Sequence, residues 1–396
     1  MDYFIKQQAS NSIGASTSVS VGEVTVILQD RIVMLVDLDY FFAQCEERRN
    51  PSISGKPVVV CVYSGRTEDS GAVSTANYIA RKYGVKSGIP ISLAKNKLKD
   101  VDAVFLPVDK QFYREVSDKI MEILRSHADH FEQMGIDEAY LDVTQRTKGN
   151  YHEAEELAET IKGDVLAQQK LTCSIGVGPN KLVAKISADV QKPDGLTSVR
   201  PGEVQGFLSP LPVRRLVGVG RKTEKRLETL GVRTVGQLAR FDVQKLIEVF
   251  GRKLGAYFHN ASLGVDEEPV QERSEPESMS RISTLKQDTR DVTVLLNEAY
   301  RLCSEVHTKL MRQELVYRSV SIYVVAGDLS VHSRSKTFEN PTSSLETFKR
   351  TVKELYEKFL AESDAEARRV GVKVSNLSKK EEVQKQLTNF FGSSKD

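Results

Sequence analysis

Two short apolar runs set the pattern of this chain, and each stops abruptly in acid. Ile32-Val33-Met34-Leu35 runs into Val36-Asp37-Leu38-Asp39, and about a hundred residues later comes Ile136-Asp137-Glu138-Ala139-Tyr140-Leu141-Asp142. Both have the length and β-branched content of buried strands. A buried carboxylate is costly unless it is paired or holds a metal. In a regular strand Asp137 and Glu138 would face opposite sides, so a shared site requires a bend there, and Met134-Gly135 predicts one. Lys56-Pro57-Val58-Val59-Val60-Cys61-Val62 reads as another buried strand. Phe112, Val116, Ile120 and Leu124 recur at helical spacing within 109–128, and helices are predicted over 152–170 and 180–190 on either side of a strand at 171–177. Lys192-Pro193-Asp194-Gly195 ends the last helix and places Lys192 at a mobile junction near the strand ends. Strand, helix, hairpin, helix, strand is the order of a ferredoxin-like α+β sheet.

The character changes after residue 200. Residues 201–265 carry 11 Lys/Arg against 5 Asp/Glu, and Leu216-Val217-Gly218-Val219-Gly220-Arg221-Lys222 predicts two short helices joined by a Gly-rich turn. Such a helix–hairpin–helix offers backbone N–H groups to a DNA phosphate without reading sequence. A plain helical turn is the other reading, and the surrounding cations weigh against it. Residues 266–278 are acidic and contain Pro269 and Pro276, as a linker would. Residues 281–375 predict a separate α+β domain, with strands at Arg318 to Val325, Ser330 to Phe338 and Arg369 to Val374 and a helix at Leu345 to Leu360. There Ser333-Arg334-Ser335-Lys336 sets hydroxyls and cations together on a strand, a pattern suited to phosphate. In the tail, Gln384, Leu387, Phe390 and Phe391 project a hydrophobic plug from a polar terminus, which favours a binding peptide. At the other end, Asn11 to Ser20 reads as disordered and Val24 to Leu28 as a short strand.

Composition narrows the class. With 396 residues, 40% apolar, 28% charged and a net charge of +2, this is an ordinary globular chain of two to four domains, whose affinity for nucleic acid must come from local patches. Cys45, Cys61, Cys173 and Cys303 stand apart without a CxxC pair, like reduced thiols of an intracellular protein, and the six His show no zinc spacing. No apolar run is long enough for a membrane span, and no secretory signal is expected.

Asp37, Asp137 and Glu138, with no Cys or His beside them, form a hard-oxygen set suited to Mg²⁺ or Mn²⁺ and so to two-metal phosphoryl or nucleotidyl transfer. Acids capping helices or lining a wet strand end are the other reading of either cluster taken alone. Phe42, five residues past Asp37, could abut the sugar of an incoming nucleotide and exclude a 2′-hydroxyl; taken alone, a core Phe is the favoured reading. Tyr78 and Arg81 share a helical face that suits a triphosphate, and a solvated basic face accounts for them equally well.

These residues resemble the Y-family translesion DNA polymerases, most closely the archaeal DNA polymerase IV (DinB-type) branch, over roughly residues 31–375. The matching stretches are Val36 to Gln44, Tyr63-Ser64-Gly65-Arg66, Ser74 to Lys82, Ile136 to Val143 and Lys181 to Gly195. The resemblance implies a multidomain α+β right hand. Its palm would be ferredoxin-like (31–40 and 109–200), with small fingers (41–108) and a helical helix–hairpin–helix thumb (201–265). A linker (266–280), an α+β little finger (281–375) and a tail (376–396) would follow, and residues 1–30 form an extension outside the pattern. It implies error-prone, template-directed DNA synthesis past damaged bases by a cytoplasmic monomer without proofreading. By the same resemblance Asp37, Asp137 and Glu138, aided by the Leu38 carbonyl, would hold two Mg²⁺, with Mn²⁺ as a substitute. Phe42 would be the steric gate. Tyr40, Phe41, Thr75, Tyr78, Arg81 and Lys192 would bind the dNTP. Gly218, Gly220, Arg221, Lys222, Ser333, Arg334, Ser335 and Lys336 would contact primer–template DNA, and the tail would dock on the sliding clamp PCNA. One departure stands out: the family's linker is often basic, and residues 266–278 are acidic here. Two other classes compete. A nucleotidyl cyclase accounts for the carboxylates but leaves the thumb motif and the tail unexplained; a non-catalytic DNA-binding scaffold leaves the acids unexplained.

Overall fold

The computed structural model describes residues 18–20, 25–27, 31–272 and 276–380. The chain divides into two compact units, Met1–Gly55 with Asp109–Glu272, and Lys56–Val108 with Arg273–Asp396.

The first unit is built on a five-stranded sheet ordered Leu196–Ser198, Cys173–Gly178, Val33–Leu38, Glu138–Asp142, His130–Gln133. Val33–Leu38 is antiparallel to both of its neighbours, and Asp37 stands opposite Glu138 on one side and Ser174 on the other. The last four strands of that order have the ferredoxin-like arrangement the sequence predicts. Leu196–Ser198 adds an edge parallel to Cys173–Gly178. Val33, Met34, Leu35 and Val36 are all buried, which is why their run is continuous rather than alternating. The hairpin bends where Met134-Gly135 predicts, with both N–H groups donating to the Glu138 carbonyl at 3.1 and 3.2 Å.

Helix Lys181–Ala188 lies directly on Cys173–Gly178 and Val33–Leu38. A Cβ on Gly176 would stand 2.1 Å from the Ala184 carbonyl oxygen, so this close approach requires glycine. The helix start is fixed by Asn180, whose Oδ1 accepts from the Val183 N–H at 2.9 Å. Residues 201–265 form short helices around Leu208, Leu216, Leu227, Leu238, Leu246 and Phe258, a core shared with Leu182, Val183 and Ile186. Within the predicted helix–hairpin–helix, the first element, Val213–Arg215, is a single 3₁₀ turn rather than a helix. Gly218 then turns the chain at φ 85°, and Arg221–Thr229 follows.

The acidic segment after residue 265 does not hang free. Asp266 accepts from the Leu182 N–H at 3.0 Å, Glu268 lies 3.3 Å from Lys181, and Val270 is buried against Val33, Leu35 and Tyr140. Its first acids are therefore spent on this unit's own groups. Helix Phe41–Arg49 packs within this unit as well. Ser18–Ser20, expected to be disordered, pairs antiparallel with Thr25–Ile27.

The second unit holds two sheets. The smaller is ordered Gly71–Ala76, Val58–Tyr63, Val104–Pro107, over a core that includes Val59, Val73, Ala80, Ile91 and Leu98. The larger is ordered Ser278–Thr289, Ala367–Lys379, Leu315–Ala326, Val331–Thr342, and helices Val292–Arg312 and Leu345–Glu362 pack on it. Val320, Ile322 and Val324 stand opposite Val374, Val372 and Val370 and form the buried face toward those helices. The tail residues Gln384, Leu387, Phe390 and Phe391 lie outside the described residues.

Candidate active site

The acidic ends of the two strands meet in the first unit. Asp37 is the cross-strand partner of Glu138, and the Leu38 N–H donates to the Asp137 carbonyl at 2.8 Å. Asp137 ends the hairpin turn and Glu138 begins the strand, the bend that two adjacent acids need in order to serve one site. Two ammonium groups reach into this cluster. Lys192 Nζ lies 2.7 Å from Asp37 and 2.9 Å from Asp189. Lys185, on helix Lys181–Ala188, meets both oxygens of Glu138 at 2.7 and 3.0 Å. Among the described residues no three acidic, His or Cys side chains stand together at metal-ligand spacing, and two of these three carboxylates are paired with lysines.

The electrostatics still mark a shared field. Burial pushes the Asp37 carboxyl up to about 6, Lys192 pulls it down, and Asp137 and Glu138 add repulsion. Asp137 is likewise raised, by burial first and by Glu138 second. Burial works to lower the Lys192 ammonium, but Asp37 and Asp189 outweigh it, so Lys192 is held above the usual lysine range. An under-compensated group of oxygen acids with no sulfur or imidazole is a donor set that fits hard divalent cations. The residues that would hold them are Asp37, Asp137 and Glu138, after Lys185 and Lys192 give up their carboxylates.

The loop that carries Lys192 is tied back to the sheet. Asp39 is fully buried and accepts from the Thr172 hydroxyl at 2.9 Å, the Ser174 hydroxyl at 2.8 Å and the Asp194 N–H at 2.8 Å. The second acid of the first cluster therefore pins the loop that carries Lys192 to the end of the central strand.

Tyr40, at φ 35°, precedes helix Phe41–Arg49, and its carbonyl accepts from the Ala43 and Gln44 N–H groups at 2.9 and 3.1 Å. The Phe41 ring is buried in the core, which leaves only its backbone N–H to meet a ligand. Phe42 is half-buried and stacks on Tyr113, with centroids 4.4 Å apart and planes at 14°. Tyr113, Lys185 and the structural role of Asp39 carry no local sequence signal; only pairing across distant elements reveals them.

In the second unit, Asn77 caps helix Tyr78–Lys82, accepting from the Ala80 N–H at 2.9 Å, and donates to the Lys56 carbonyl at 2.8 Å. The Arg81 guanidinium lies 4.6 Å from the centre of the Tyr78 ring and donates to the Ala76 carbonyl at 2.9 Å, so the two do share a face. Thr75 is on the preceding strand.

The pairing of hydroxyls and cations on Val331–Thr342 needs correction. Strand alternation separates them. Ser333 and Ser335 pair with Tyr323 and Ser321 on the face away from the helices, whereas Arg334 and Lys336 pair with Ile322 and Val320 on the helix side. There Arg334 bonds Glu362 at 2.9 Å and Lys336 bonds Glu354 at 2.7 Å, both acids on the helix Leu345–Glu362. The cations that share the open face with the serines are Arg369 and Lys373, partners of Val325 and Ser321.

Comparison with known proteins identifies the family. The chain matches the impB/mucB/samB family over residues 36–189, the C-terminal domain of that family over 276–388, and the DNA polymerase-iota thumb domain over 214–266. It is 49% identical over 365 residues to DNA polymerase IV of Nitrosopumilus maritimus, covering 92% of this chain and all of that one. It is 46% identical over 359 residues to DNA polymerase IV of Methanosarcina acetivorans, covering 89% and 98%. Among solved structures, a Y-family Dbh–Dpo4 chimera superposes with a TM-score of 0.83 at 39% identity, covering 88% of this chain and 99% of that one. An insertion ternary complex of Dbh DNA polymerase does so with 0.65 at 38%, with the same coverage. The chain thus belongs to the impB/mucB/samB family, the Y-family DNA polymerases, within the archaeal DNA polymerase IV branch, and is a DNA-directed translesion polymerase.

Proposed function

We propose that the chain copies primer–template DNA past damaged bases by two-metal nucleotidyl transfer, with two Mg²⁺ held by Asp37, Asp137 and Glu138 and by the Leu38 carbonyl. The observation that carries this reading is the register that sets Asp37 opposite Glu138, with Asp137 at the adjoining turn. When bound, the divalent cations supply activation of the primer 3′-hydroxyl and neutralisation of the triphosphate. Asp37, Asp137 and Glu138 furnish the negative cradle, and the hairpin bend aims the last two at one place. Lys192, held by the Asp39–Asp194 bond, presents a fixed ammonium to phosphate oxygens once Asp37 is drawn to metal. The Tyr40 and Phe41 backbone and Thr75, Tyr78 and Arg81 complete the dNTP contacts. Phe42 walls off the 2′ position. In this reading the enzyme works without a proofreading exonuclease.

The same reading assigns 31–40 and 109–200 to the palm, 41–108 to the fingers, 201–265 to the thumb and 281–375 to the little finger. Gly218, Gly220, Arg221 and Lys222 hold duplex phosphates, Ser333 and Ser335 with Arg369 and Lys373 form the DNA face of the little finger, and Gln384, Leu387, Phe390 and Phe391 dock on PCNA. The enzyme works as a cytoplasmic monomer. Its four cysteines are buried and unbridged, and among the described residues no helix is long and apolar enough to cross a membrane.

Primer extension tests this. With Mg²⁺, the wild type should extend a primer with dNTPs, whereas Asp37→Ala and Glu138→Ala should lose about a thousandfold or more while retaining DNA affinity. Extension by either variant at the wild-type rate refutes the assignment. Cyclic nucleotide formed from NTP without primer would support the cyclase reading instead.

A further inference from the structure

The wall that Phe42 offers to a sugar is backed by a buried network that the polymerase reading leaves unused. Glu46 is 2% exposed, one helical turn beyond Phe42. A carboxylate so enclosed must be paired. It is: Arg49 Nη2 meets both of its oxygens at 2.7 Å, and the Tyr113 hydroxyl donates to Oε1 at 2.6 Å. Arg49 in turn bonds Asp109 at 2.9 Å and lies 4.5 Å from the centre of the Phe112 ring, which ties helix Phe41–Arg49 to the start of helix Lys110–Ser126. Tyr113 is wholly buried, and its ring is the surface on which Phe42 stacks, with Phe41 against both rings at 5.7 and 6.5 Å.

We propose that Glu46 is a specificity-determining positioning residue: by holding the Tyr113 hydroxyl it locks the ring beneath Phe42 and so sets how strictly the polymerase rejects ribonucleotides. This rests on the reading of Phe42 as the steric gate. A wall excludes a hydroxyl only as far as it refuses to yield. Phe42 has two side-chain torsions, and a near-parallel ring at stacking distance opposes rotation of its own ring. That backing ring is fixed at its far end by a short bond to an ionised acceptor, the stronger kind of hydrogen bond. Without the bond, Tyr113 keeps its shape but loses its anchor, and the gate gains play.

The test compares kcat/KM for a dNTP and for the matching rNTP on one primer–template, in the full-length protein. Tyr113→Phe keeps the ring and removes only the anchored hydroxyl; Glu46→Leu removes the acceptor; Glu46→Gln keeps an acceptor in place. Discrimination should fall about tenfold, one hydrogen bond's worth, in Tyr113→Phe and in Glu46→Leu. It should return to near the wild-type ratio in Glu46→Gln, with dNTP kcat unchanged in Tyr113→Phe. Phe42→Ala runs alongside. If Phe42→Ala admits ribonucleotides while Tyr113→Phe keeps full discrimination, the positioning role of Glu46 is wrong and the gate stands. If Phe42→Ala also keeps full discrimination, the gate reading itself fails. A parallel loss of dNTP and rNTP turnover, with their ratio intact, would make the network merely structural and overturn the proposal.

Discussion

Replacing Asp37 with Asn should stabilise the metal-free protein while abolishing synthesis. Burial raises this carboxyl from 3.8 to about 6 even with Lys192 beside it. The sign follows from linkage. An acid whose folded value lies above its unfolded value carries no penalty below pH 4, where it is protonated in both states. The penalty grows as pH rises and is complete above about 6. A rise of about two units corresponds to roughly 3 kcal/mol at neutral pH. Asn keeps the volume and removes the charge, and Lys192 keeps its ion pair with Asp189 at 2.9 Å. The net gain should therefore be about 1–2 kcal/mol, or several degrees in Tm. Thermal melts of Asp37→Asn and the wild type in EDTA at pH 5, 6, 7 and 8 read this directly. The gap should be full at pH 7 and 8, narrow through pH 6 and pH 5 and vanish only toward pH 4, and added Mg²⁺ should raise the wild type more than the variant. A variant that melts at or below the wild type at pH 8, or a gap independent of pH, refutes the electrostatic account of the site.

Other perturbations separate the remaining parts. Gly176→Ala should cost several kcal/mol of stability, seen as a fall in Tm or loss of soluble protein, because its Cβ would meet the Ala184 carbonyl at 2.1 Å. Lys373→Ala should weaken DNA binding and flatten its salt dependence by about one ion, whereas Arg334→Ala, whose guanidinium already serves Glu362, should leave both nearly unchanged in fluorescence-anisotropy titrations. Replacing Phe390 and Phe391 together with Ala should remove stimulation by PCNA and leave basal primer extension intact.

Local chemistry was legible in the sequence; what depends on pairing between distant elements was not. Apolar runs ending in Asp37 and in Asp137-Glu138 announced strand ends, and Met134-Gly135 announced the bend that joins the second pair, because both signals lie within a few residues. The Tyr78–Arg81 face followed from helical spacing. By contrast, Arg334 and Lys336 sit beside Ser333 and Ser335 in the chain yet on the opposite face of the sheet; that requires knowing which face the helices cover. Arg369 and Lys373 reach the open face through register with Val325 and Ser321, on a strand some fifty residues away. Lys185, Tyr113 and Asp39 were missed for the same reason: each takes its meaning from a partner on another element, Glu138, Phe42 and the Asp194 loop in turn. The acidic linker misled in the other direction, since composition cannot tell that Asp266 and Glu268 are already taken up by Leu182 and Lys181.

The central claim is that residues 37, 137 and 138 grip divalent cations together. Anomalous scattering from Mn²⁺ in crystals of the protein with primer–template and a non-hydrolysable dNTP analogue tests it most directly. The account predicts two manganese peaks at about 2.0–2.2 Å from carboxylate oxygens of Asp37, Asp137 and Glu138, with Lys185 and Lys192 moved off their acids. Manganese bound elsewhere, with Lys192 still on Asp37 and Lys185 still on Glu138, would contradict it.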